Sequence, residues 1–214
     1  MTIMNMFLGL DLGNIGTPPV FIANTESTGL SVSSFSQPVP SGNAGDLLLL
    51  IVTSTERAAN TPAGWTLLFE NINAQAFIHF YYKTAAAASE ANITVTLAAT
   101  TNTHSVIFRF RNANPIPVIN SGGAFNYVPT ATINYPAVAS PALTDYNIQF
   151  AYFFNPNVTV ATPTNSTVLY INNDGAPPSF FTFFDIGPSV NKSSTYSQSS
   201  TNPAYSAQIR IRRA

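Results

Sequence analysis

Sixteen prolines, spread from Pro18 to Pro203, constrain this 214-residue chain more than any other feature. A proline inside a helix removes an amide donor and clashes with the preceding turn, at a cost of roughly 3 kcal/mol. Long helices are nearly excluded. The one helix-friendly stretch, AAAASEA from Ala85 to Ala91, reads as a short loop. Between the breakers stand short runs of β-branched and aromatic residues. Ile93-Thr-Val-Thr-Leu97 alternates with period two and predicts a half-buried strand, and Val106-Ile-Phe-Arg-Phe-Arg111 alternates toward its end. Leu47 to Val52 does not alternate. Its six apolar residues predict a central strand covered on both faces.

The strand programme is played twice. Gly45-Asp46-Leu-Leu-Leu-Leu-Ile51 is echoed by Thr144-Asp145-Tyr-Asn-Ile-Gln-Phe150, and Pro62-Ala-Gly-Trp-Thr66 by Pro163-Thr-Asn-Ser-Thr167. Phe77-Ile-His-Phe80-Tyr81 is echoed by Phe180-Phe-Thr-Phe183-Phe184, and His104-Ser-Val-Ile-Phe-Arg109-Phe-Arg111 by Tyr205-Ser-Ala-Gln-Ile-Arg210-Ile-Arg212. The spacings are 99, 101, 103 and 101 residues. A period this long is unsuited to a solenoid. Each half, about 38–112 and 136–213, holds too few strands to cover two faces alone. The join, Asn112 to Tyr135, still carries strand-like pieces. The expected fold is all-β: one antiparallel, jelly-roll-like sandwich over residues 17–214, built from two related halves that share a core. An extended N-terminal arm, residues 1–16, precedes it.

Charge is scarce. Only 8% of residues are Asp, Glu, Lys or Arg, against about 25% in ordinary soluble domains. Asn, Ser, Thr, Gln and Tyr take their place. Such a surface stands easily against other proteins, because little charge has to be desolvated. The net charge of −1 argues against nucleic acid and against an electrostatic membrane anchor. No cysteine is present, so neither a disulfide framework nor a thiolate metal site is expected. The N-terminus lacks a basic lead-in and is interrupted by Asp11, which argues against a signal peptide. No apolar run is long enough for a transmembrane helix.

Candidate chemistry is thin. His79 and His104, the only histidines, stand in strand contexts and read as structural. The nine carboxylates are scattered, and the usual hydrolase and zinc motifs are missing. No catalytic residue, metal or cofactor is assigned. Asp46 reads as the residue that closes the turn before the central strand, its carboxylate accepting backbone N–H bonds, and Asp145 as its counterpart. Trp65, the only tryptophan, reads as core packing, with sugar stacking on an adhesin module as the alternative.

The order PSGNAGDLLLLIV, TPAGWTLL, FIHFYYKTA and then an alternating strand resembles a β-sandwich module of bacteriophage virion proteins, with its GDLL, P-x-GWT and YY-(K/R)-x-A signatures. The likeness spans about residues 20–213 and is clearest at 38–112. The second half departs from it, with Ser166 in place of the Trp and Asp185 in place of the Lys. The resemblance implies a non-enzymatic structural protein of a phage particle, resident in the virion. Head decoration comes first, and a tail, neck or fibre position is the alternative. The implied partners are the major capsid protein or other virion proteins, with homo-oligomers, trimers at local three-fold positions among them.

Three features are candidate interfaces. The apolar, Met-rich arm includes Met4, Met6, Phe7, Leu8 and Leu10. Period two sets Arg109 with Arg111, and Arg210 with Arg212, on one strand face each, which reads as a solvated outer face or as a salt-bridged contact with an acidic neighbouring subunit. The Phe180-Phe181-x-Phe183-Phe184 cluster cannot bury all its rings on one face, so some must meet the other sheet, a loop or a partner, and it ranks third.

Overall fold

The computed structural model describes residues 17–54, 60–73, 76–121, 130–139, 144–155, 157–172, 178–198 and 204–214. The arm expected over 1–16, with Met4, Met6, Phe7, Leu8 and Leu10, lies outside them. All regular elements among the described residues are strands, and all pairings are antiparallel. The first half holds β1 (Val20–Gln37), β2 (Leu47–Ser54), β3 (Thr66–Asn73), β4 (Ala76–Thr84) and β5 (Ile93–Arg111). The second holds β6 (Val118–Ser121), β7 (Thr130–Tyr135), β8 (Tyr146–Phe153), β9 (Val158–Val160), β10 (Thr167–Asn172), β11 (Ser179–Ile186), β12 (Lys192–Gln198) and β13 (Ala204–Ile211).

The two halves build the same sheet. The first is ordered β1-β5-β2-β4-β3 and the second β6-β13-β8-β11-β10. Leu47 stands opposite Phe110 and Thr84, as Tyr146 stands opposite Ile211 and Ile186. These registers place β4 and β11 102 residues apart, one less than the 103 read from the Phe-rich blocks. The slip matters, because one residue turns every side chain to the other face. Phe80 and Phe183, aligned in the sequence reading, belong to different cores; Phe80 corresponds instead to Thr182. Matching turns precede β3 and β10. Trp65 N donates to Pro62 O at 3.1 Å, and Ser166 N to Pro163 O at 3.0 Å. Gly64 (φ 77°) and Asn165 (φ 58°), two residues that tolerate left-handed backbone, supply the third position of each. A bulge follows in both strands, at Leu67/Phe69 and Val168/Tyr170.

The halves differ in how they cover their outer faces. In the first, β1 and β5 are long enough to pair in the inner sheet and run on past it. Register breaks between Gly29 and Ser34 interrupt the ladder, and Ser31 there has φ 53°. Beyond the break, Phe35, Val95 and Leu97 pack on Leu48, Leu50, Val52, Trp65 and Tyr81. In the second half the same job falls to separate strands, β7-β12-β9, whose Ile133, Tyr135 and Tyr196 pack on Ala151, Phe153, Phe181 and Phe183.

The inner faces of the two five-stranded sheets meet in a shared core. Leu47, Leu49, Ile51, Phe80, Phe108 and Phe110 pack against Tyr146, Ile148, Phe150, Phe180, Ile209 and Ile211. Rings cross the interface edge-on, Phe80 to Phe150 and Phe110 to Tyr146, each at 5.1 Å between centroids. β2 is therefore buried on both sides, odd residues toward the shared core and even ones toward the first half's own cover. At about 1.5–3 kcal/mol per buried large apolar side chain, these three cores are what hold the layers together.

The contacts obey a pseudo-two-fold. Phe69 on β3 stacks on Tyr205 of β13 at 6.4 Å, and its counterpart Tyr170 on β10 stacks on His104 of β5 at 6.1 Å.

Candidate functional site

Most of the described charged side chains are turned into the fold rather than displayed on it. Arg109 leaves β5 on the face opposite Phe108 and Phe110, as period two requires, but that face is not solvated. Arg109 is fully buried. Its Nε donates to Asp46 Oδ2 at 2.9 Å, and its terminal nitrogens donate to the carbonyls of Pro40 (2.6 Å), Ala88 (3.2 Å), Ala87 (3.1 Å) and Asn43. All five N–H donors of a guanidinium fit this cage. The expectation of an exposed Arg109 at an interface is corrected on this ground. Asp46 closes the turn as expected, accepting from Asn43 N at 2.7 Å. It also holds Arg111 Nε at 3.4 Å, and Arg111 is the half-exposed member of the set. Burial pushes the Asp46 carboxyl up, but the Asn43 amide, Arg109 and Arg111 outweigh it and hold it below its usual 3.8. A shallow pocket of about 350 Å³, lined by Asn43, Asp46, Arg111 and Ala214, opens beside the clamp.

The second half repeats the clamp in looser form. Arg210 Nε stands 3.6 Å from Asp145 Oδ2, both nearly buried, and Nη1 donates to Ala139 O at 2.5 Å. Arg210 is thereby corrected as an interface candidate too. Arg212 reaches Ile116 O at 3.3 Å across the join between the halves. Phe180 and Phe181 are buried on opposite faces, one in the shared core and one under the three-stranded cover, which removes them as exposed contacts. Trp65 packs in the first half's core with Lys83 over its ring at 5.7 Å, so its indole face is no sugar platform.

A second pair of ion pairs escaped sequence reasoning. Lys83, at the end of β4, bonds Glu90 in the following loop. At the equivalent places Asp185 bonds Lys192 at 2.5 Å. The polarity is reversed. Lys192 also bonds Ser166 Oγ at 3.0 Å, in the place where Lys83 meets Trp65. The departures at Ser166 and Asp185 are thus one coupled change. A signal existed: Glu90 and Lys192 stand the same 102 residues apart as Lys83 and Asp185. Burial raises the Glu90 carboxyl, but Lys83 and the amides of Ala86 and Ala87 outweigh it and leave it below its usual 4.5.

Both histidines are buried, as a structural reading requires. His79 stacks on Tyr81 with ring planes 4° apart and lies 3.6 Å from Glu70. His104 bridges the halves. Its Nδ1 meets Thr28 Oγ1 at 2.8 Å, and its Nε2 meets the Tyr170 hydroxyl at 2.9 Å. That hydroxyl donates to Glu26. The directed assignment is Thr28 hydroxyl to His104, His104 to Tyr170, Tyr170 to Glu26, ending on the carboxylate. No group of three His, Cys, Asp or Glu side chains that could hold a metal ion occurs among the described residues.

With charge drawn inward, the outer layers show neutral hydroxyls. Ser34 and Ser36 stand opposite Thr96 and Thr94 on the first cover, all exposed. On the second, Thr132 pairs with Thr195, Asn134 with Ser193 and Thr159 with Ser197, again all exposed. The arrangement suits recognition by shape and neutral hydrogen bonds rather than acid–base chemistry. Comparison with family models, curated proteins and solved structures finds no match to this chain.

Proposed function

We propose that this chain is a non-enzymatic structural protein of a bacteriophage virion, and that it decorates the outside of the head by binding the major capsid protein. The observation that carries the reading is the placement of charge. The two Asp–Arg clamps and the Lys83–Glu90 and Asp185–Lys192 pairs hold charge inside, while the outer layers present rows of Ser, Thr and Asn. A neutral hydroxyl face costs less to desolvate against another protein than a charged one, provided its hydrogen bonds are remade there, and is little affected by salt. Layers joined through one shared core suit a part that must stay rigid. The order of the GDLL, P-x-GWT and YYKxA signatures supports the phage context.

Immunogold labelling of intact particles, viewed by electron microscopy, tests the proposal. Gold spread over the head is the expected result. Gold confined to the tail or its tip moves the function to a neck, tail or fibre component, and unlabelled particles remove the virion reading altogether.

A further inference from the structure

A tandem repeat folded this way faces a hazard. β5 and the β12–β13 segment have matching registers, so each can take the other's place beside β2 or β8, within one chain or between copies. The Asp–Arg clamps do not prevent this. Arg109 and Arg210 occupy equivalent positions, and either arginine would meet an aspartate after exchange.

Two other contacts discriminate. The first is the reversed ion pair. Glu90 precedes β5 and Lys192 opens β12, while Lys83 and Asp185 end β4 and β11. Exchange sets Lys83 against Lys192 and Asp185 against Glu90, two like-charge contacts. All four groups are at most 18% exposed, so solvent screens them poorly. The second is a difference in polarity between the facing strands. Leu50 stands opposite Ile107, whereas the equivalent pair is Gln149 opposite Gln208, and all four are completely buried. Exchange sets Gln208 against Leu50 and takes it from the Pro136 carbonyl at 3.1 Å, and a buried amide that loses its partner is costly; Gln149 keeps its bond to Asp185 at 3.1 Å but is set against Ile107.

We propose that these contacts form a pairing code, which directs each half's closing strands to their own sheet and blocks strand exchange between halves and between molecules. Native pairing matches at both places; exchanged pairing fails at both. It is a negative-selection device of the kind a repeat needs when its halves are otherwise interchangeable.

The chain has no cysteine, which makes a trap simple to install. Ser54 stands opposite Thr103, and Phe153 stands opposite Ala204 at the equivalent place. A full-length reporter with Ser54→Cys and Ala204→Cys brings its two thiols together only after exchange. The reporter is unfolded, refolded under oxidising conditions, and the cross-linked fraction is measured. It should be low with the native charges. Adding Lys83→Glu with Glu90→Lys keeps both native ion pairs but makes the exchanged pairs attractive. The cross-linked fraction should then rise about tenfold, equivalent to about 1.4 kcal/mol of lost discrimination. Adding Asp185→Lys with Lys192→Glu to that variant should return it to the starting level. No rise in the first variant overturns the proposal, and so does a rise that the fourfold variant fails to reverse, since local damage would then explain it. If the charge variant does not refold, Gln149→Leu with Gln208→Ile decides in the same reporter. It inserts only apolar groups, and an unchanged cross-linked fraction there overturns the proposal.

Discussion

Arg109 and Asp46 form an ion pair buried at the closed end of the first half, Nε to Oδ2 2.9 Å, and every strand joining them is committed to the shared core. Removing one member of a buried pair leaves the other charged and unpaired, which costs about 3–5 kcal/mol. Asp46→Asn should therefore lower the urea midpoint sharply, by about that free energy. Asp145→Asn should cost less, because its Arg210 stands 3.6 Å away. Gly42→Ala should reproduce part of the first effect without touching a charge. Its Cβ would fall 2.3 Å from Arg109 Nε and 2.6 Å from Asp46 Oδ2. Equal losses for Asp46→Asn and Asp145→Asn would contradict this ranking.

Tyr170→Phe tests the chain of hydrogen bonds across the halves. The ring stays stacked on His104, as Phe69 stacks on Tyr205 at the pseudo-equivalent place, but the hydroxyl between His104 Nε2 and Glu26 is lost. A buried donor left unsatisfied costs about 1–3 kcal/mol. Phe69→Leu, which removes a stack but no hydrogen bond, serves as the comparison. The imidazole resonances of His104 should shift in the Tyr170→Phe variant and stay in place in Phe69→Leu.

How much of this was legible follows from the kind of force involved. The doubly covered β2, the repeat, the turn at Asp46 and the buried Trp65 were readable, because each rests on hydrophobic periodicity or turn chemistry within a few residues. The burial of Arg109 was not. Period two places it opposite Phe108 and Phe110, but whether that face meets water depends on residues 40–46 and 87–88 folding over it. That the rings of Phe180 and Phe181 point to opposite faces was legible from alternation, but which of the other sheet, a loop or a partner covers them was not: both sides of β11 are covered, one side by a sheet from the other half. The β4–β11 register slipped because both blocks are aromatic on both faces, which erases the alternation that fixes alignment.

Trp65 gives a fluorescence test of the same core. It is the only tryptophan and is 6% exposed, so its emission should be blue-shifted and poorly quenched by iodide in the native state. Mono- and oligosaccharides should leave it unchanged. Trp65→Ala should cost about 3–5 kcal/mol by emptying the space among Leu48, Leu50 and Tyr81. A red-shifted native spectrum, or quenching by a sugar, would restore the adhesin alternative.

The pH dependence of stability has two arms of opposite origin. Asp46 and Glu90 have carboxyls held below their usual 3.8 and 4.5. A carboxylate depressed in the folded state stabilises fully above its unfolded value, and that contribution fades as pH falls through the lower folded value. The acid limb of the melting curve should therefore begin near the usual carboxylate range and steepen below it. Tyr135, Tyr146 and Tyr152 behave in the opposite sense. Burial pushes each hydroxyl well above its usual 10.0, and for Tyr135 a bond to Ser194 offsets this only in part. A folded value raised in this way leaves stability intact below pH 10 and removes it as pH climbs from there, because the unfolded chain ionises first. Melting temperatures should be flat between roughly pH 5 and pH 9 and fall on both sides. Tyr146→Phe should soften the alkaline limb without changing the acid one, and Asp46→Asn should do the reverse. A variant that moved both limbs together would show that the fall reflects net charge on the whole chain rather than these groups.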